Sequence, residues 1–328
     1  MPRRDFISIV EAAYRSDASE REWIEGVASA VARTLGRGLG AWAFFLDASD
    51  LSNIRVWGLD RSHLAIDLNP ETFLASADEA AAYYTKQAVG TSSSQVGVAA
   101  WKASRHYNEI YKPAGAEDVL GLVAIDANRI GCVVAVPLPE ITRLRPREVR
   151  AYSQLAAHLA TGHRLRVGLS QQPVERGPEA VLRPDGTLEH ATDTTKPARA
   201  QEALRRLALG IDRARSDLRR DDPDRALEIW TAMVSGRWTL VDQFHGVGKR
   251  FLIARRNDPK VAEPAKLTLR ERQIASYAAL GHSNKLIAYE LGIAASTVAT
   301  HLTSAQTKLG VKNRVELIRV LMGGAGDT

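Results

Sequence analysis

HSNKLIAYELGIAASTVATH, residues 282–301, contains two short segments whose apolar residues have helical spacing, separated by a single glycine. Ile287 and Leu291 lie one helical turn apart, and Val298 resumes the apolar spacing beyond Gly292. Glycine suits a sharp turn because it lacks the Cβ that opposes a positive φ. The stretch therefore predicts two closely crossing helices with Gly292 in the turn between them, which is the arrangement of a helix-turn-helix.

Helix-start signals flank this stretch on both sides. TLRE (268–271) has the spacing of a capping box, and NRVE (313–316) repeats it before a last apolar run. A helix is predicted over 295–309, because its apolar residues recur every three to four positions. Residues 264–328 are therefore expected to form a compact all-α domain of four helices.

The helix predicted at 295–309 has one polar face with no evident role in the core. That face holds Thr297, Ala299, Thr300, Thr303, Ser304 and, at its edge, Lys308. In a helix-turn-helix the second helix enters the major groove of DNA while the first crosses the backbone. Hydroxyls can reach base edges or phosphates, and an alanine methyl can contact a thymine methyl. A helical hairpin at a protein interface is the alternative for such small exposed residues.

The C-terminal segment resembles the LuxR/FixJ-type DNA-binding domain. It carries the pattern of that family as LTLRE, GHSNKLIA, TVATH, KLGV and RVE, and the resemblance covers about a fifth of the chain. The resemblance implies a motif at 282–301, sequence-specific binding to double-stranded DNA, and a role in bacterial transcription regulation. The implied DNA-binding residues are Ser283, Asn284, Lys285, Ser296, Thr297, Val298, Ala299, Thr300, His301, Thr303, Ser304, Lys308 and Arg314.

Three positions depart from the family pattern. Leu286 stands where the family usually has glutamate, so the capping box from Ser283 loses its acidic half, at a cost of about 1 kcal/mol. Ala294 replaces the usual capping serine of the recognition helix, and Ala299 replaces a lysine. Without that lysine we expect a salt dependence flatter by roughly one unit of slope. The domain keeps eight Lys and Arg against four acids, so attraction to DNA should persist.

The sequence pattern of the first region, residues 1–169, predicts an α+β fold. Helical patterns open it, strand-like runs follow, and a long helix ends it near residue 166. A helix is predicted over 71–87, and GTSSSQVG at 90–97 is expected to be a loop. The order of elements resembles a GAF-type sensor domain, an antiparallel sheet flanked by helices, which implies a ligand pocket or a dimer interface. The residues themselves leave open whether the region binds a ligand or serves only dimerisation, and they identify no ligand contact.

A middle region, residues 178–257, follows a polar linker and resembles a small α+β, PAS-like domain. A hairpin is predicted at Asp185-Gly186, then two helices, then a second hairpin near 246–248. The mixed arginine and aspartate run at 212–222 is expected to be a solvated helix face.

Composition limits the classes of protein. The net charge is +6, no apolar run approaches 18 residues, and no signal peptide is evident, so a cytoplasmic protein without a membrane partner is expected. The single cysteine, Cys132, excludes an internal disulfide and is predicted to be a buried thiol. No metal-ligand spacing, phosphate loop or nucleophile elbow appears, so we expect no cofactor, no metal site and no enzyme.

The leading hypothesis is a transcription regulator controlled by its N-terminal regions. A homodimer on a rough palindrome is expected, because one recognition helix contacts only a half-site. A small-molecule ligand of the N-terminal domain and RNA polymerase are further candidate partners. Phosphoreceiver control is not expected, and a lactone-binding domain has no support in the residues. The alternatives are a protein–protein adaptor that keeps the fold without binding DNA, and an enzymatic N-terminal region coupled to DNA binding.

Overall fold

The computed structural model describes residues 4–50, 53–64, 88–171, 177–245, 249–261 and 266–321. The first region is built from α1 (Phe6–Ala13), α2 (Glu20–Leu35), β1 (Trp42–Asp47), β2 (Arg55–Asp60), β3 (Val89–Thr91), α3 (Ser92–Val96), α4 (Val98–Ala103), a π-helix (Tyr107–Tyr111), β4 (Asp118–Ile125), β5 (Ile130–Leu138) and α5 (Pro146–Ser170). The five strands form an antiparallel sheet in the order β2-β1-β5-β4-β3. The helix predicted over 71–87 lies outside the described residues.

Both faces of the first sheet are covered, which explains the nearly continuous apolar strands. Along β1, Phe45 faces a core shared with α1, α2 and α5, while Phe44 and Leu46 face the opposite side. Side chains alternate across a strand, so an uninterrupted apolar run requires packing on both faces. Cys132 on β5 is fully buried, as predicted, and burial raises the pKa of its thiol to about 12.

The prediction of a loop at 90–97 is wrong, because most of this stretch is strand and helix. Thr91 ends β3 and caps α3, its hydroxyl accepting from the Ser94 amide at 3.3 Å. The Ser93 hydroxyl donates to the buried Asp118 carboxylate at 2.6 Å. Serines that read as loop residues are here satisfied by caps and by a carboxylate from β4.

The middle region contains β6 (Ala180–Leu182), β7 (Leu188–Ala191), α6 (Ala198–Arg215), α7 (Leu218–Asp221), α8 (Pro223–Ile229), β8 (Trp238–His245) and β9 (Lys249–Arg256). Its strands form a second antiparallel sheet in the order β7-β6-β9-β8. Gly186 has a φ of +81°, so the predicted turn before β7 is confirmed. Apolar side chains of this region join the same core as α1 and α5.

The charged run at 212–222 is not a merely solvated face, contrary to expectation. Arg219 pairs with Asp5 at 2.7 Å and with Glu11 at 3.1 Å, and Arg215 also contacts Glu11 at 2.9 Å. Asp242 on β8, between Arg215 and Arg250, is part of the same network. The mixed charges therefore connect the middle region to α1, a partner more than 200 residues away in sequence.

The C-terminal region is all-α, as predicted. Its helices are α9 (Leu269–Ala279), α10 (Asn284–Leu291), α11 (Ala295–Leu309) and α12 (Arg314–Leu321). The predicted capping box opens α9, since the Glu271 amide donates to the Thr268 hydroxyl and the Thr268 amide to the Glu271 carboxylate. Gly292 between α10 and α11 is left-handed, with a φ of +60°. Among the described residues, no helix is both long enough and apolar enough to cross a membrane.

Candidate nucleic-acid interface

Helix α11 separates into a buried stripe and an exposed polar face. Val298, Leu302 and Ala305 are buried against α9 and α10, so Val298 holds the helix in place and is not a contact surface. The exposed residues of the helix are Ser296, Thr297, Ala299, Thr300, Thr303, Thr307 and Lys308, while His301 and Ser304 are half-buried. This face has the size and polarity of a reading surface for a major groove.

The threonine hydroxyls on this face already donate to their own helix. Thr300 donates to the Ser296 carbonyl and Thr303 to the Ala299 carbonyl, each at 3.1 Å. Their hydroxyl oxygens keep lone pairs that point outward as acceptors. In this rotamer the face is suited to accept from amino groups on base edges, with methyl groups available for apolar contact.

The two departures at helix starts have the expected structural effect. Ser283 caps α10, its hydroxyl accepting from the Leu286 amide at 3.2 Å, but no acidic side chain completes a box there. Helix α11 begins after Ala294 without any side-chain cap. Among the described residues, no side chain accepts from the amides at the start of α11, where the helix dipole places a partial positive charge.

Lys308 and Ser304 do not stand free for DNA, contrary to the sequence expectation. The Lys308 ammonium donates to both carboxylate oxygens of Glu271 at 2.7 Å, and the Ser304 hydroxyl donates to one of them at 2.6 Å. Burial alone would raise the pKa of Glu271, but these bonds and those from Thr268 lower it to about 2. Lys308 therefore fastens α11 to the start of α9.

Arg314 and Asn284 also have structural roles. The Arg314 guanidinium donates to the Asn284 side-chain oxygen at 2.9 Å and to the His282 carbonyl. This arrangement ties α12 to the start of α10, so these two predicted contacts act on the fold of the domain. Lys285 is exposed and has no carboxylate partner within the described parts of the chain.

A buried polar network connects α9 to the rest of the molecule. The Tyr277 hydroxyl donates to Asp126, in the β4–β5 turn, at 2.6 Å, and Arg164 of α5 pairs with the same carboxylate. Arg164 also donates to both oxygens of Asn257, which follows β9, at 3.1 and 3.0 Å. The three regions of the chain therefore meet at one buried guanidinium.

A second network connects α10 to α1 and α5. His158 of α5 is fully buried, with one ring nitrogen 2.8 Å from the Tyr14 hydroxyl and the other 2.8 Å from the Tyr289 hydroxyl. The Tyr289 hydroxyl, which has a single proton, shares its donation between the carbonyls of Leu227 and Trp230 in the middle region. Burial lowers the pKa of His158 to about 3, so the ring is neutral in this network.

The turn of the motif itself touches the middle region. A Cβ on Gly292 would lie 2.1 Å from the Met233 carbonyl oxygen. Sequence reasoning assigned this glycine only to the sharp turn between the two helices and missed the docking tyrosines, because their partners lie far away along the chain. A polar ring in an otherwise apolar stripe, as at Tyr277 and Tyr289, was the available signal.

Comparison with known proteins agrees with this geometry. The family described as "Bacterial regulatory proteins, luxR family" matches residues 265–321. The chain is 51% identical over 55 residues to the monoamine regulon transcriptional regulator of Klebsiella aerogenes, covering 17% of this chain and 24% of that protein. It is 48% identical over 58 residues to the transcriptional regulatory protein UhpA of Escherichia coli strain K12, covering 18% and 30% of the two chains.

A third relative is the HTH-type transcriptional regulator MalT of Vibrio cholerae, 35% identical over 68 residues, which cover 21% of this chain and 8% of that protein. The chain thus spans less than a third of the length of each of these relatives, and each match covers about a fifth of the chain or less. The family match spans α9 to α12 and includes the whole turn at Gly292. Residues 265–321 therefore form a helix-turn-helix DNA-binding domain of the luxR family of bacterial regulatory proteins.

Proposed function

We propose that the protein is a transcription regulator that binds double-stranded DNA sequence-specifically through α11. The exposed hydroxyl face of α11 carries this proposal, because its residues are held outward by a buried stripe and have no role in the core. The match to regulators over 265–321 supports it. The role is regulatory, and the proposal assigns no catalytic step to any residue.

The test is selection of binding sites from random duplexes by the full-length chain, followed by binding titrations over a salt series. We expect enrichment of a defined site, and an affinity for it well above that for random duplex at about 150 mM salt. Thr300→Ala and Thr303→Ala should change the preferred bases, since both lie in the first two and a half turns of α11 and the N-terminal part of a recognition helix contacts base edges.

Thr307→Ala is the matched control. Thr307 is exposed on the same helix and makes the same bond to the carbonyl four residues earlier, at 3.0 Å, but it lies one turn farther from the helix start. It should leave the selected sequence unchanged. Equal changes for all three variants would contradict base reading by Thr300 and Thr303.

We further propose that residues 1–169 act as a GAF-like sensory and dimerisation domain and residues 178–257 as a PAS-like one. The antiparallel sheets flanked by helices support this assignment. A cleft of 910 Å³ between α1 and β8, lined by Tyr14, Trp230 and Leu240, is a candidate site for a small-molecule effector. Native mass spectrometry of the purified chain tests both a retained ligand and a homodimer. RNA polymerase is a further proposed partner, and a cytoplasmic location is proposed with this role.

An adaptor that retains the fold without binding DNA is the second candidate. The internal pairing of Lys308 and Arg314, together with Ala299, favours it, because these features reduce the free positive charge on the face. The same titrations distinguish the regulator from the adaptor, since an adaptor would have the same low affinity for selected and random duplexes.

A further inference from the structure

A groove of 660 Å³ runs between α6 of the middle region and the helix-turn-helix. Arg199, Ala203 and Arg206 of α6 line one wall, while Lys285 of α10 and Thr297 of α11 line the other. The groove thus reaches the first turn of the recognition helix. Only the helix-turn-helix wall lies within the segment that matches the family, because α6 belongs to the middle region.

The groove is positively charged. Three cationic side chains line it, and no aspartate or glutamate among the described residues does so. Arg206 has an exposed partner, Glu202, at 3.7 Å on its own helix, whereas Arg199 and Lys285 have no carboxylate partner in the parts of the chain that the structure describes. With Glu202 counted, the local balance is still +2. These cations suit an extended anion, while apolar side chains such as Leu207, Ile229 and Ile293 also line the groove.

The hydroxyl groups and the uncapped helix start at the groove also suit an anionic ligand. Ser235 and Thr297 line the groove and supply hydroxyls that can donate to phosphate oxygens. Ala294 also lines it, at the start of α11 where no side chain caps the helix. Side-chain hydroxyls and cations are the groups with which proteins contact DNA phosphates.

We propose that this groove receives the DNA backbone beside the recognition helix, so that α6 is a second part of the DNA-binding surface. The inference rests on the proposed function of α11. A helix about 10–12 Å across fills a major groove about 12 Å wide, so a phosphate strand must pass close to the helix on either side. Thr297 shares the groove with Arg199 and Arg206, which places α6 beside one of those strands.

The two arginines are spaced to follow such a strand. They lie seven residues apart on one face of α6, a separation of about 10 Å along the helix. They reach the DNA only while the C-terminal domain stays docked through Tyr277 and Tyr289. The docked arrangement is then the DNA-binding form, and its phosphate contacts are independent of sequence.

The test compares Arg199→Ala, Arg206→Ala and their double variant with the parent, in full-length protein, on the selected site and on random duplex. We expect a loss of roughly five- to tenfold per arginine at about 0.1 M salt, on both duplexes alike. The slope of log affinity against log salt should shrink by roughly 0.9 for each arginine removed.

Arg205→Ala is the control. It removes the same charge from the same helix, but Arg205 packs toward the turn at Gly186, away from the groove. It should change affinity and slope much less. Losses for the groove arginines no larger than for Arg205 would overturn the inference while leaving the proposed function intact. Tighter binding by the double variant would overturn it as well, because α6 would then obstruct DNA. A parent chain that prefers no site would refute the proposed function, and the inference with it.

Discussion

Glu271 is the residue on which the start of α9 and the position of α11 both depend. Its side chain is 5% exposed and accepts from Lys308, Ser304 and the Thr268 amide. We expect Glu271→Gln and Lys308→Met each to lower the free energy of unfolding by about 1–3 kcal/mol, because each leaves a buried group incompletely paired. The double variant should lose about 1 kcal/mol less than the two single losses added together, as measured by denaturant unfolding.

The same carboxylate has a predictable response to acid. Its pKa in the folded protein is about 2, below its ordinary value of 4.5, so its contribution is complete above pH 4.5 and is lost as the pH falls toward 2. Between pH 5 and 2 the parent should therefore lose more stability than Glu271→Gln. Glu316→Gln, at the partly exposed cap of α12, is the control and should follow the parent. Identical acid profiles for the parent and Glu271→Gln would contradict the pairing with Lys308.

Among the elements, the turn between α10 and α11 can be tested with a matched pair of glycines. Gly292 and Gly310 each follow a helix in the left-handed region, with φ of +60° and +70°. Among the residues that the structure describes, nothing lies within 4 Å of a Cβ placed on Gly310, whereas one on Gly292 meets the Met233 carbonyl. Gly310→Ala should cost about 1–2 kcal/mol, from backbone strain alone. Gly292→Ala should cost clearly more in thermal unfolding, because the turn must also move off the middle region. Equal costs would show that this contact contributes nothing.

Local elements were predictable from the sequence because their causes are local. The capping box at Thr268 and the turn at Gly292 depend on residues within a few positions, and both are confirmed. Contacts across the fold left no such signal, since Lys308 lies 37 residues from Glu271 and Tyr277 lies 151 residues from Asp126. Spacing alone showed Lys308 as a free cation on an exposed face. Only the packing of α9 against α11 reveals its partner.

At the scale of the whole molecule, two buried histidines should make folding sensitive to mild acid. Burial lowers the pKa of His158 to about 3, and burial together with Arg166 lowers that of His163 to about 4. Both values lie below the ordinary 6.5, so the unfolded chain binds more protons and stability falls as the pH drops below 6.5. The slope is about 1.4 kcal/mol per pH unit for each histidine.

His158→Gln should flatten this dependence between pH 6 and 4 by up to that amount, although the variant starts less stable at pH 7. His190→Gln, at an exposed position on β7, should keep the slope of the parent. Urea unfolding at a series of pH values provides the measurement. A parent whose stability is constant from pH 7 to 4 would contradict neutral, buried rings at these positions.

Apolar contacts and a buried hydrogen bond hold the C-terminal domain against the first region. One continuous apolar cluster runs from the outer face of the first sheet into α9–α12, and Tyr277 joins Asp126 beside it. We expect Tyr277→Phe to raise amide hydrogen exchange in α9–α11, since docking loses a hydrogen bond of about 1–2 kcal/mol. Tyr107→Phe removes a similar bond, to Glu117 at 2.9 Å, within the first region, and should affect only its surroundings.

Because α6 contributes to DNA binding only in the docked form, Tyr277→Phe should also weaken DNA affinity and reduce the effect of Arg199→Ala. Faster exchange with tighter DNA binding would show instead that docking holds the recognition helix away from DNA.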